Sequence, residues 1–191
     1  MTAGTLLRAA RRSSGLGQQV LAERAQTSQP DVSAVERGRR TPTVDTLVRL
    51  LDSAGHKLIA VKTSHPDAVE TSARIADALR SGAAQAALRR FLDYSDGLAA
   101  TSGVERVMLT AAEPYPSGSP VWDAALAAVA EYWLDQEGLP KPHWLNDPSR
   151  TLPSPQTLDV SIYDLPPRID EVPPPFARRN VLVERGTLAS I

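Results

Sequence analysis

The chain contains no cysteine, which excludes disulfide frameworks, thiolate catalysis and cysteine-based zinc sites. Its only histidines are His56, His65 and His143. His65 and Asp67 flank a single proline, too short and isolated a pair to hold a metal, and His143 beside Trp144 reads as a packing or surface residue. No glycine-rich phosphate cradle follows a strand, and Asp135 with Glu137 or Asp170 with Glu171 read as solvated charge. The expectation is no catalytic residue, no metal, no cofactor and no enzyme activity. No run of about 18 apolar residues occurs, and Met1 to Ala10 lacks the long apolar core of a signal peptide. A cytoplasmic protein with no membrane association is expected.

What is present divides unevenly. Met1 to Lys62 carries ten Lys and Arg against five Asp and Glu, a net +5, whereas Thr63 to Ile191 carries eleven against seventeen, a net −6. A basic head on an acidic body suits a nucleic-acid binder whose remainder meets something else. The 191 residues accommodate a small head and a second unit of roughly 100 residues with its own core.

The head is most informative at LGQQVLAERAQTSQPDVSAVERG, Leu16 to Gly38. Leu21, Ala22 and Ala25 share one side of a first helix, and Val32 and Val35 share one side of a second, so the two faces can bury against each other. Ser28 is suited to cap the second helix, and Pro30 in its first turn costs no internal hydrogen bond. The helix ends at Glu36 to Gly38, where glycine takes the left-handed position and Arg39, Arg40, Thr41 and Pro42 do not continue it.

Over roughly Leu6 to Leu58 the chain resembles the phage repressor and Cro helix-turn-helix family, the XRE family, through LGQQVLAERA, SQPDVSAVERGRRTPTVDTL and VRLLDSAGHKL. The resemblance implies a five-helix, lambda-repressor-like domain with its third helix, Gln29 to Arg37, in the major groove and Gln18 holding a phosphate at the start of the second. It also implies a partly buried ion pair between Arg11 and Glu36 that orients the recognition helix without touching a base. Two positions depart from the family pattern. Gln26 stands where the turn usually has glycine, which demands a left-handed residue with a side chain at a cost of about 1 kcal/mol. Gly17 stands where Thr or Ser usually caps the second helix.

Outside the second helix remain Gln29, Pro30, Asp31, Ser33 and Ala34. Gln29 is the first candidate for base reading, because its amide matches adenine, and Ser33 the second. Pro30 and Ala34 offer apolar contact, for instance to a thymine methyl. Asp31 can accept from cytosine or favour the helix N-terminus. Arg37, Arg39, Arg40 and Arg49 read as phosphate neutralisers, or as solvated surface charge. Ser28 completes the DNA-binding set.

TVDTLVRLLDSAG forms the last helix of the head, with Leu47, Leu50 and Leu51 on one face. The apolar run Leu58, Ile59, Ala60 and Val61 then reads as a short strand, which needs a partner. That partner is either the same strand of a second copy, giving a homodimer with paired recognition helices, or a strand from later in the chain. Ser64 to Asp67 reads as a linker. Within 63–139, HPDAVETSARIADALRSG and AAQAALRRFLDYSDGLAA read as helices separated by Gly82, and Pro120 to Gln136 as a longer one; Val104 to Ala111 fits a helix or a strand. From 140 to 191 proline crowds the chain and forces extended or turning backbone. Trp144, Leu145, Leu152, Ile162, Tyr163, Leu165, Ile169 and Phe176 are its apolar anchors, able to wrap the preceding helices or another protein. NVLVERGTLAS reads as a short strand or helix.

GLPKPHW and PPPFARRNVLV give this region a second, weaker resemblance, to the C-terminal part of helix-turn-helix proteins of high-GC actinobacteria. Some of those act as antitoxins beside nucleotidyltransferase-type toxins. The resemblance implies a toxin partner, with Trp144, Phe176, Arg178 and Arg179 as contact candidates alongside Asn180. Taken together, the sequence reads as a mainly α, operator-binding transcriptional repressor, homodimeric, in which the tail dimerises or grips a partner. The alternatives are a regulator sensing a small ligand in a C-terminal pocket, and an interaction protein whose head tethers an effector to DNA.

Overall fold

The computed structural model describes residues 2–158 and 167–188. They are mainly helical, in two compact units, Met1–Lys62 and Thr63–Ile191.

Among its described residues the first unit has four helices, α1 (Ala3–Ser13), α2 (Gln18–Arg24), α3 (Gln29–Glu36) and α4 (Val44–Ser53). Each boundary has a local cause. Thr2, Ser28 and Thr43 cap α1, α3 and α4 with their hydroxyls; Gly38 and Gly55 take positive φ just beyond α3 and α4. The core is one apolar cluster of Leu7, Ala10, Leu21, Ala22, Ala25, Val32, Val35, Leu50, Leu51 and Ala54. Two expectations are corrected. The domain has four helices rather than five, because the segment expected as the fifth is α4. Leu58 to Val61 form no strand among the described residues, since no neighbouring backbone hydrogen-bonds to them; Leu58 is 44% and Ile59 75% exposed.

The second unit is organised around α8 (Pro120–Asp135), in which every residue from Trp122 to Glu131 is buried. A helix buried on all sides needs cover on all sides. Cover comes from α5 (Ala68–Arg80), α6 (Ala84–Ala100) and α7 (Gly103–Ala111), and from the proline-rich chain beyond α8. Gly82, at φ 71°, separates α5 from α6. The ambiguous Val104 to Ala111 is helical, burying Arg106, Leu109 and Thr110 at helical spacing.

The proline-rich segment is not separate from this unit. Its described residues form three short 3-10 turns at His143–Asn146, Pro148–Arg150 and Ile169–Glu171, then one-turn helices α9 (Pro174–Ala177) and α10 (Arg185–Leu188). Trp144, Leu145, Leu152, Phe176, Val181 and Leu188 enter the same core as α8. Val181 makes an isolated parallel bridge with Gln156. Ile169, expected as an anchor, is 77% exposed, and Ile162, Tyr163 and Leu165 lie outside the described residues.

Irregular backbone leaves carbonyls without partners, and buried arginines supply the donors. Arg106 donates to the carbonyls of Trp133 and Thr101, Arg150 to that of Pro114, and Arg179 to those of Pro175 and Leu145. Each is charge-matched, to Glu137, Asp123 and Glu131 respectively. Tyr94 is fully buried; burial, and secondarily the charge of Asp67, pushes its hydroxyl pKa upward.

Candidate nucleic-acid interface

α2 and α3 meet at a tight turn whose strain falls on Gln26, at φ 51°. The turn closes through Thr27 N–H donating to the Ala22 carbonyl at 2.9 Å. Leu21, Ala22 and Ala25 of this hairpin bury against Val32 and Val35, the valines being 1% and 3% exposed. Burial of that face decides which side of α3 is free. Outward stand Pro30 and Arg37, with Gln29, Asp31 and Ala34 half-buried. Ser33, the second candidate for base reading, is corrected: at 5% exposure it packs inside the unit and presents no hydroxyl to a groove.

α3 is locked at both ends. At its start, Ser28 Oγ accepts from the Asp31 N–H at 3.2 Å and donates to Asp31 Oδ2 at 2.7 Å. The Ser28 hydrogen bond is the chief cause that holds the Asp31 carboxyl below its ordinary range, with Arg40 contributing from 2.6 Å. The Ser28 hydroxyl and one face of Arg40 are therefore committed within the protein, and Asp31 serves as a cap partner. At the other end Glu36, 4% exposed, receives Arg11 Nε at 2.6 Å and Nη2 at 3.0 Å. Arg11 also donates to the Leu16 carbonyl at 2.8 Å, tying the α1–α2 loop to the same ion pair.

Gln18 joins these groups. Its Nε2 donates to Glu36 Oε2 at 2.7 Å, and its Oε1 accepts from Gln29 Nε2 at 2.7 Å. The Gln18 side chain thus turns toward α3. Arg37, Arg39 and Arg40 are exposed beyond α3. Arg49 donates to the Ala25 carbonyl and so closes the end of α2.

Two features escape sequence reading. Gly4 lies where α1 crosses the end of α3: a Cβ there would sit 2.3 Å from the Val35 carbonyl oxygen. The Gln18–Gln29 contact joins residues on different helices, which no periodicity registers.

In the second unit the expected partner-contact residues are largely interior. Trp144 is 3% exposed and donates its indole N–H to the Thr110 carbonyl at 2.9 Å. Phe176 is fully buried, and Arg179 is paired with Glu131. These three are corrected from candidate contacts to core residues, because the chain wraps its own central helix with them. Arg178 is half-exposed but also paired with Glu131, at 2.8 Å. Asn180 donates to the Leu152 carbonyl at 2.7 Å. An open, polar cleft of about 270 Å³ is lined by residues including His65, Asp67, Glu70 and Arg74.

Among the described residues no group of three histidines or carboxylates is arranged to hold a metal, and no helix is long and apolar enough to cross a membrane. Residues 2–55 match the family model described as a helix-turn-helix domain. No curated protein and no solved structure matches the chain. The N-terminal unit is a helix-turn-helix DNA-binding domain.

Proposed function

We propose that the chain, by virtue of this domain, is a sequence-specific transcriptional regulator of the repressor and Cro (XRE) type that binds an operator in double-stranded DNA. The observation that supports it is the presentation of α3, capped by Ser28 and held by Arg11 and Glu36, with Gln29, Pro30 and Ala34 on its free side and Arg37, Arg39 and Arg40 beyond it. Gln29 supplies the polar base contact, Pro30 and Ala34 apolar contact with thymine methyls, and the arginines phosphate contacts that fix register. Repression results from occupying a promoter, its own included.

The regulator acts as a homodimer in the cytoplasm. Leu58, Ile59, Ala60 and Val61 leave apolar surface and backbone groups available to the same segment of a second copy, and pairing two heads matches half-sites about one DNA turn apart. In the antitoxin reading the second unit holds a nucleotidyltransferase-type toxin and the pair autoregulates its operon. That reading rests on the GLPKPHW and PPPFARRNVLV likeness, and its contact surface must exclude Trp144, Phe176 and Arg179. The ligand-sensor reading is favoured by the cleft around His65 and Arg74.

Selection of bound duplexes from a randomised double-stranded DNA library tests the central claim. A recurrent sequence motif is expected, and indifference to every duplex at low ionic strength overturns it. A toxin gene immediately adjacent supports the antitoxin reading, and neighbouring metabolic genes support the sensor.

A further inference from the structure

Among the side chains at the start of α3 is one whose charge opposes a polyanion. Asp31 follows Pro30 in the first turn, and its side chain is 45% exposed. Its Oδ1 receives Arg40 Nη1 at 2.6 Å, and its Oδ2 receives the Ser28 hydroxyl at 2.7 Å. Arg40 is 61% exposed, yet its charge is met within the protein. Arg37 and Arg39, exposed in the same stretch, have no ion pair among the described residues. Asp31 thus offers Arg40 the kind of anionic oxygen that a phosphate would offer, at the distance of a charge-assisted hydrogen bond.

We propose that Asp31 is an electrostatic counterweight, which occupies Arg40 in the free protein, is displaced by a DNA phosphate, and so lowers the sequence-independent part of binding. An arginine that meets a phosphate releases about one condensed cation, and this release sets the salt dependence of affinity. When Arg40 exchanges Asp31 for a phosphate, the abandoned carboxylate takes up a cation from solution, and the net release is close to nil. Arg39 has no carboxylate to abandon. Phosphate contacts are common to every sequence, so trimming them leaves base contacts a larger share of the affinity. The inference rests on the reading that this side of α3 meets DNA.

The test follows the affinity of the full-length chain for enriched and for random duplexes across a salt series. Asp31→Asn keeps an acceptor for Ser28 and removes the charge; Asp31→Ser replaces it should the Asn variant lose native helicity. Tighter binding to both DNAs is expected, on the order of fivefold at 0.1 M salt, with a salt slope steeper by about one unit. Arg40→Ala should scarcely change the slope of the unaltered protein, and should lower it by about one unit in the Asp31→Asn background. Weaker binding of the Asp31 variant to both DNAs makes Asp31 a positioning residue for Arg40 and overturns the proposal. An unchanged slope overturns it too, as does tightening on random DNA with weakening on the enriched duplex, which makes Asp31 a base contact. A slope lowered by about one unit in Arg40→Ala alone overturns it whether or not the Asp31 variants fold. Failure of the unaltered chain to bind any duplex at low salt instead removes the underlying functional reading.

Discussion

Arg179 Nη1 stands 2.5 Å from Glu131 Oε2, two charged groups buried together where the proline-rich chain crosses the central helix α8. Lys141 and Arg178 approach the other oxygen, each at 2.8 Å. One carboxylate thereby gathers three cations from two stretches, one just past the end of α8 and one much later in the chain. Burial alone pushes the Glu131 carboxyl up; the Lys141 hydrogen bond and the ion pairs with Arg179 and Arg178 prevail and hold it at about 2, below its ordinary 4.5.

A depressed carboxyl contributes its stability above the unfolded value and loses it as pH falls toward the folded one. The contribution of Glu131 is therefore complete at neutral pH and is lost between about 4.5 and about 2. Glu131→Gln should destabilise the second unit by about 3 kcal/mol at pH 7, because Arg179 is left buried without its counter-charge. Thermal melts of both proteins across that interval should converge as the pH drops. A difference independent of pH would remove the carboxylate as its source.

At Gly4 a methyl group meets the Val35 carbonyl oxygen at 2.3 Å, against backbone that cannot rotate away. Gly4→Ala should cost the first unit about 1–3 kcal/mol by overpacking. Chemical denaturation followed by circular dichroism measures it, and an unchanged midpoint would show that α1 and α3 separate freely.

Gln26 carries the left-handed strain of the helix-turn-helix turn. Gln26→Gly should raise stability by about 0.5–1 kcal/mol, relief of strain exceeding the added freedom of the unfolded chain. A lower melting temperature for this variant would locate the strain elsewhere.

Gln29→Ala should weaken binding at the enriched sequence by about 1–3 kcal/mol and relax its preference, whereas Arg39→Ala should weaken all duplexes alike and reduce the salt slope by about one unit. Fluorescence anisotropy at several salt concentrations, on enriched and random DNA, separates the two. Identical behaviour of both variants would refute the division into base and phosphate contacts.

Residues 1–62 enclose an apolar cluster of their own. A fragment with that span should melt cooperatively, and a featureless melt would show that the head depends on the second unit for its stability.

Much of the head was legible from local chemistry. The Ser28 cap, the inward valines and the left-handed demand on Gln26 follow from single-residue stereochemistry and period. The Arg11–Glu36 pair was implied by the family resemblance. Ser33 is buried where exposure was expected, because helical spacing gives a residue's side but not how deeply that side is covered. Gly4 and the Gln18–Gln29 contact depend on how helices cross, which no linear pattern encodes. In the second unit the helices were legible, and the fate of the tail was not. Trp144 and Phe176 suit a partner's surface as well as the chain's own core, and hydropathy places arginine outside. Arg106, Arg150 and Arg179 are inside because irregular backbone needs their donors.

The completeness with which α8 is covered also orders the protein's birth. Leu188, 1% exposed, lies in the same cluster as Phe91 and Leu126, so that interior cannot close until the chain through Leu188 has left the ribosome. The head closes on contacts within its first 62 residues and requires no such wait. During synthesis a folded head is expected to precede its acidic companion, which remains open, with apolar surface available to chaperones, until Leu188 has emerged.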